Sequence, residues 1–114
     1  MKKKISDYQF PMPKEAIEEL NEQMPYGAMI MVSEHFSNLS KPTVYSHLKP
    51  TRKRYSVEII LAFLDVAETQ RRVNGINEKL KIRVYLESLF RHYDVLDLKK
   101  NSLTLKPFQN QWKT

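Results

Sequence analysis

The feature that most constrains this fold is an apolar run from residue 57 to residue 67, in which only Glu58 and Asp65 are polar. Ser56, directly before the run, is a preferred residue for a helix N-cap. A helix that is apolar on nearly all sides must be covered by other elements on more than one face. The run is shorter than the roughly 18 apolar residues that a membrane span needs. We therefore predict a central core helix in a protein with no membrane partner.

Composition limits the classes of protein that can surround such a helix. The 114 residues suffice for one small domain with a modest core, and 41% hydrophobic with 28% charged residues is ordinary for a globular protein. Only 2 glycines are present, which argues against a chain of β-hairpins. The absence of cysteine excludes disulfides and thiolate chemistry and fits a reducing cytosol. The first ten residues lack the apolar core of a signal peptide, so we expect a cytoplasmic protein.

Helical spacing of apolar residues predicts three short helices before the central one. The first covers residues 13–24 and the second covers residues 28–36. The third has Ser40 as its N-cap, Pro42 in its first turn, and a stop at Lys49-Pro50. We expect its inward face to consist of Leu39, Val44 and Leu48.

The stretch between Glu34 and Glu58 contains no acidic residue. It contains five cations, which carry +5 of the formal net charge of +6: Lys41, Lys49, Arg52, Lys53 and Arg54. Such clustering favours an anionic partner, with nucleic acid first and anionic lipid second. The predicted outward face of the third helix adds hydrogen-bond donors, acceptors and a ring, as surfaces that contact DNA base edges do. That face consists of Lys41, Thr43, Tyr45 and Ser46.

Residues 24–80 resemble the helix-turn-helix of bacterial repressors of the lambda-repressor and lac-repressor type. The matching positions are Pro25-Tyr26-Gly27, Val32-Ser33, Leu39, Ser40, Thr43, Val44 and Leu48. The chain departs from the pattern at Ser33, where Ala is usual, and at Pro42 in the third helix. Its turn carries Ser37-Asn38 in place of one glycine and is one residue longer. We expect Asn38 to tolerate the left-handed conformation that a tight corner between helices can demand.

The resemblance implies specific contacts with double-stranded DNA. The residues expected to lie in the major groove and contact bases are Lys41, Pro42, Thr43, Tyr45 and Ser46. The residues expected to bind phosphates are Gly27 and Ala28 through their amides, and Ser40, Lys49, Arg52, Lys53 and Arg54. Lys41 is the best candidate for the O6 and N7 atoms of guanine. Motifs of this type usually act as dimers on two half-sites, so a homodimer is expected.

A seven-residue step after the central helix leaves two interpretations open. It connects Ile59, Val66, Val73 and Leu80, which is compatible with a coiled-coil dimer seam or with a helix packed inside its own subunit. Asn74-Gly75 is a candidate break in this helix. Another amphipathic helix is expected over residues 81–93, followed by a tail that forms two short strands or is irregular.

The predicted fold is mainly α: a small helical bundle with a helix-turn-helix, a long fourth helix, and a C-terminal helix plus short extended tail. We divide the chain into a flexible basic arm (1–12), a helix-turn-helix DNA-binding domain (13–68), and a C-terminal helical extension and tail that includes the candidate dimerisation segment (69–114). The arm with Lys2, Lys3 and Lys4 either frays in solvent or follows the phosphate backbone.

Enzyme chemistry has little support in the sequence. His35, His47 and His92 lack metal-ligand spacing, and no glycine-rich phosphate loop or serine elbow is present. We expect no cofactor, no metal and no small-molecule ligand, and we expect His47 to pack or to contact phosphate. The leading hypothesis is a repressor-like transcriptional regulator of a bacterium or mobile element, associated with the nucleoid. The alternative is a helical module that binds an acidic protein or RNA through its basic face.

Overall fold

Helix α4 (Val57–Val73) forms the centre of the computed structural model, which describes residues 8–92. Nine residues of α4 are buried, and all of them lie between Val57 and Ala67. The Ser56 hydroxyl caps the helix by accepting a hydrogen bond from the Ile59 amide at 3.5 Å. Both the central core helix and its N-cap were predicted from the sequence, and both are confirmed.

Shorter elements surround α4 on several sides. The other elements of the described residues are β1 (Gln9–Phe10), α1 (Lys14–Glu22), α2 (Ala28–His35), α3 (Lys41–Tyr45), β2 (Tyr55–Ser56) and α5 (Lys81–His92). A single 3-10 turn, Ser46–Leu48, continues α3. The prediction of a mainly α small bundle is confirmed. No helix within residues 8–92 has the length and apolar character needed to cross a membrane.

Helix α5 packs on α1 and shares the core of the helices that precede it. Ile82 and Leu86 are fully buried, and the carboxylate of Glu19 on α1 accepts the Lys81 amide at 2.7 Å. A carboxylate at this place satisfies a free amide and matches the helix dipole of α5. The predicted domain boundary at residue 68 falls inside α4, and residues on both sides of it belong to one core.

The segment from Tyr8 to Pro11 is built into the domain, although the sequence predicted a flexible arm over residues 1–12. Gln9 pairs with Ser56 and Phe10 with Tyr55 in an antiparallel ladder. The Tyr85 hydroxyl also donates to the Pro11 carbonyl at 2.7 Å. Backbone pairing with the residues before α4 explains the order of this segment, because the ladder satisfies polar groups that an arm would leave to water.

The seven-residue step does not continue as one helix. Ile59, Val66 and Leu80 are buried within the chain, whereas Val73 is 62% exposed. The helix ends at Val73, and Gly75 adopts a φ of +75°. The Ile76 amide donates to the Arg71 carbonyl at 2.8 Å, which is the bond of a Schellman C-cap. A continuous dimer seam over these four positions is therefore wrong, and packing within the subunit explains Ile59, Val66 and Leu80.

Two predictions concern residues that the structure does not describe. The lysine-rich start of the arm belongs to residues 1–7, and the extended tail belongs to residues 93–114. Both remain predictions from sequence.

Replacing Gly75 tests the end of α4. No atom lies within 4 Å of the position a Cβ would take, so the cost of Gly75→Ala is confined to the left-handed backbone. We expect a loss of about 1 kcal/mol in the free energy of unfolding, and a smaller loss for Gly75→Asn, because Asn tolerates this conformation. Urea denaturation measures both. Equal stability of the wild type and Gly75→Ala would contradict the cap.

Candidate nucleic-acid interface

An ordinary turn connects α2 to α3. The Leu39 amide donates to the Phe36 carbonyl at 2.9 Å, which closes the turn over Ser37 and Asn38. Among the described residues, positive φ angles occur only at glycines, so this turn does not use the left-handed conformation that Asn38 could tolerate.

Helix α3 begins as the sequence predicted. The Ser40 hydroxyl accepts the Thr43 amide at 3.3 Å and lies 2.7 Å from the Thr43 hydroxyl. Pro42 occupies the first turn, where its missing N–H requires no partner. Val44 and Leu48 are buried as expected, but Leu39 is 36% exposed and lies outside the core. Leu39 belongs to the turn before α3 and not to the helix, so the helical spacing of apolar residues does not predict whether it is buried.

The predicted base-reading residues of α3 differ in how accessible they are. Lys41, Pro42 and Thr43 are exposed, whereas Tyr45 and Ser46 are half-buried. The Ser46 hydroxyl donates to the Thr43 carbonyl at 2.7 Å and accepts from Nη1 of Arg52 at 2.7 Å. Ser46 therefore already uses its hydroxyl proton and one lone pair inside the protein.

The cations of the basic loop between α3 and β2 differ in whether they face solvent or bond to the protein. Lys49, Lys53 and Arg54 are exposed, and within residues 8–92 none of them forms an ion pair. Arg52 is half-buried, and its Nε donates to the Arg54 carbonyl at 2.9 Å. The loop is also closed at its base, since the Tyr55 hydroxyl donates to the Lys49 carbonyl at 2.6 Å. Three cations thus project from a loop whose backbone is fixed at both ends.

The start of α2 offers fewer free backbone amides for phosphate binding than the sequence predicted. Gly27 has a φ of +82° and forms the N-cap, which explains glycine at this position. The Ala28 amide already donates to the Pro25 carbonyl at 3.1 Å, and Ala28 is fully buried. Ala28 therefore does not offer the phosphate-binding amide that was expected there.

His47 is a packing residue beneath α3. Only 1% of it is exposed, so it is not a surface for phosphate. Its Nδ1 lies 2.9 Å from the Thr43 carbonyl, which can only accept, so Nδ1 carries the proton. Its Nε2 is buried and has no hydrogen-bond partner within residues 8–92, and the Tyr55 ring packs edge-on with the two ring centroids 6.1 Å apart. Burial, opposed by the bond to Thr43 and reinforced by the charge of Arg52, lowers the pKa of His47 from 6.5 to about 4.

An apolar groove, which was not predicted from the sequence, lies beside α3. It has a volume of about 520 Å³ and is bordered by the C-terminal end of α1, the residues that follow it and the start of α2. Tyr26, Ile30 and Tyr45 are among the residues that line it. Tyr26 is fully exposed and Ile30 is 52% exposed. No sequence pattern indicates this groove, because the exposure of Tyr26 and Ile30 is visible only in the structure.

A search of the described residues for metal ligands finds no group of three His, Cys, Asp or Glu side chains that could hold an ion.

Comparison of the chain with family models, with curated proteins and with solved structures finds no match in any of the three. The helix-turn-helix resemblance therefore rests on the residues of the chain itself.

The buried neutral His47 predicts acid sensitivity. Because its folded pKa of about 4 lies below its ordinary 6.5, the unfolded chain binds more protons between these values. The contribution of His47 to the free energy of unfolding is therefore fully present above pH 6.5 and decreases as the pH drops towards 4. The decrease amounts to up to about 3 kcal/mol, at 1.36 kcal/mol per pKa unit. In His47→Asn this contribution is absent, and the amide of Asn can still donate to the Thr43 carbonyl.

Urea unfolding of the wild type and His47→Asn between pH 7 and pH 4.5 measures the difference in slope. Proton NMR of the imidazole measures the pKa directly in the wild type. An identical pH dependence in the two proteins would show that His47 titrates normally.

Proposed function

We propose that this protein binds double-stranded DNA in a sequence-specific manner through α2, the turn and α3, and acts as a repressor-like transcriptional regulator. The observation that carries the proposal is the arrangement of α3. Val44 and Leu48 hold it against the core, while Lys41, Pro42 and Thr43 face solvent. A basic loop without acidic residues follows directly. Helix-turn-helix proteins present a base-contacting helix and adjacent phosphate contacts in this order.

Base contacts fall to the exposed start of α3. Lys41 can donate to the O6 and N7 atoms of guanine, and the Thr43 methyl group and the Pro42 ring can contact the methyl group of thymine. Tyr45 is half-buried and contributes the edge of its ring. The hydroxyl of Ser46 is engaged within the protein, so we assign it a smaller part than its position in the sequence implied.

Phosphate contacts fall to the exposed cations. Lys49, Lys53 and Arg54 carry charges that no carboxylate neutralises within the described residues. The amide of Gly27 adds a polar contact, and Ser40, whose hydroxyl already bonds to Thr43, adds a smaller one. Such contacts supply affinity that does not depend on base sequence and decreases with salt.

We further propose that a homodimer binds two half-sites, and that the protein works in the cytoplasm at the nucleoid. Because Ile59, Val66 and Leu80 are buried within one chain, the dimer must use other residues. Val73, Ile76 and Val84 are the exposed apolar residues that follow the buried part of α4. Closed two-fold assemblies are the commonest form of small DNA-binding regulators of this kind.

The alternative is a helical module that binds an acidic protein or RNA through its basic face, and the apolar groove beside α3 favours a protein partner. Salt separates DNA binding from binding in this groove, because DNA binding weakens log-linearly with salt whereas contacts in an apolar groove hardly respond. Tyr26→Ala removes the most exposed aromatic residue of that groove. A partner that is lost in Tyr26→Ala and retained at high salt would support the alternative.

Selection from a pool of random duplexes tests the main proposal. We expect recovery of one preferred site, with a palindrome if the protein binds as a dimer. Fluorescence anisotropy then measures the affinity for the site and for a scrambled duplex at several salt concentrations. Absence of binding to any duplex at low salt would refute the proposal.

Two lysines distinguish base contacts from phosphate contacts. Lys41→Ala should reduce discrimination between the selected site and a variant at one base pair by about 5-fold or more, as loss of a base contact costs about 1–3 kcal/mol. Lys53→Ala should weaken binding to all duplexes alike and reduce the salt slope by about 0.9. Anisotropy titrations measure both. Uniform weakening in both variants would remove Lys41 from the set of base contacts.

A further inference from the structure

Arg52 differs from the other cations of the basic loop because it is half-buried and they are exposed. The guanidinium is half-buried and bonds to two parts of the chain. Nε donates to the Arg54 carbonyl at 2.9 Å, and Nη1 donates to the Ser46 hydroxyl at 2.7 Å. Lys53 and Arg54, by contrast, are exposed. The two bonds commit two of the five N–H donors of Arg52 to the protein itself.

These bonds continue into the exposed face of α3. The Ser46 hydroxyl that accepts from Arg52 donates to the Thr43 carbonyl at 2.7 Å, and Nδ1 of His47 reaches the same carbonyl at 2.9 Å. A chain of hydrogen bonds therefore runs from the backbone of the basic loop to Thr43. Each bond with a charged donor is stronger than a bond between neutral groups.

Helix α3 needs support of this kind. Its α-helical part has 5 residues and its last turn is a 3-10 turn of 3 residues. A helix this short is not stable by itself, and a 3-10 turn has poorer hydrogen-bond geometry than an α-turn. Val44 and Leu48 fix one side of the helix by burial. On the loop side, the Ser46 hydroxyl connects α3 to the guanidinium of Arg52.

We infer that Arg52 is a positioning residue, which holds the base-contacting helix and the phosphate-contacting loop in a fixed relation and does not itself bind phosphate. This inference rests on the proposed DNA-binding function and deepens it. Of the four cations of the loop, three contact DNA, namely Lys49, Lys53 and Arg54. The fourth, Arg52, fixes the position of these three relative to α3. Specificity then depends on Arg52, because base contacts require α3 at one angle while phosphate contacts tolerate several.

Arg52→Lys is the decisive substitution. Lysine keeps the charge, and a lysine suffices for a phosphate, but it cannot make the two directed bonds of a guanidinium. We expect Arg52→Lys to keep the wild-type salt slope and to lose about tenfold in the ratio of affinities for the selected and scrambled duplexes. Retention of that ratio in Arg52→Lys would overturn the inference.

Ser46→Ala breaks the same connection from the other side without changing any charge. It should reproduce the loss of discrimination, and the double variant with Arg52→Lys should be no worse than either single variant. Arg54→Ala should instead lower the salt slope by about 0.9 and leave discrimination unchanged. Arg91→Ala, on the exposed side of α5, is the control for loss of a remote charge. Additive losses in the double variant would show that Arg52 and Ser46 act separately.

Amide hydrogen exchange of the full chain tests the support of α3 without DNA. In Arg52→Lys and Ser46→Ala, the amides of residues 43–48 should exchange about tenfold faster, and those of α5 should not change. Unchanged exchange at residues 43–48 would overturn the inference even if DNA binds. If no duplex binds the wild type, the proposed function and the role of Arg52 in specificity both fall, and the exchange result still decides whether Arg52 orders α3.

Discussion

The burial of α4 is the constraint on which the rest of the structure depends. Residues Val57–Ala67 offer apolar surface in nearly every direction, so α1, α2 and β2 must pack against them. Helix α2 is fixed by this packing, and α3 is in turn fixed on α2. Changes on the outer face of α3 can alter contacts with a ligand without disturbing the core, because the buried contacts of α3 and its 3-10 turn come from Val44, His47 and Leu48.

Local signals explain what the sequence predicted correctly. The caps at Ser40 and Ser56 and the break near Gly75 depend on residues within one turn of the chain, and all three are present. Non-local contacts explain what it missed. The pairing of Gln9 with Ser56 and the bond from the Lys81 amide to Glu19 join residues far apart in sequence, and no periodicity records them. For the candidate site, sequence alone identified the exposed face of α3 but could not show that the Ser46 hydroxyl and the Ala28 amide are already engaged.

The site combines hydroxyl groups that are satisfied within the protein with cations that are not. Ser40, Thr43 and Ser46 bond to one another or to neighbouring groups, and these bonds order α3. Lys41, Lys49, Lys53 and Arg54 have no carboxylate partner within residues 8–92. Like charges held close together repel one another, and the repulsion opposes the folded state at low ionic strength. An anion that lies across these cations would relieve the repulsion, so binding and stability are coupled through the same side chains.

The short ladder between β1 and β2 gives the chain a particular topology. Gln9 and Ser56 meet directly, and everything between them forms one closed excursion that carries α1, α2 and α3. The excursion is not separable from the rest of the chain, because α1 packs on α5 and all three helices share one core with α4. The ladder instead fixes the entry and the exit of the excursion at one place, next to the N-terminal end of α4.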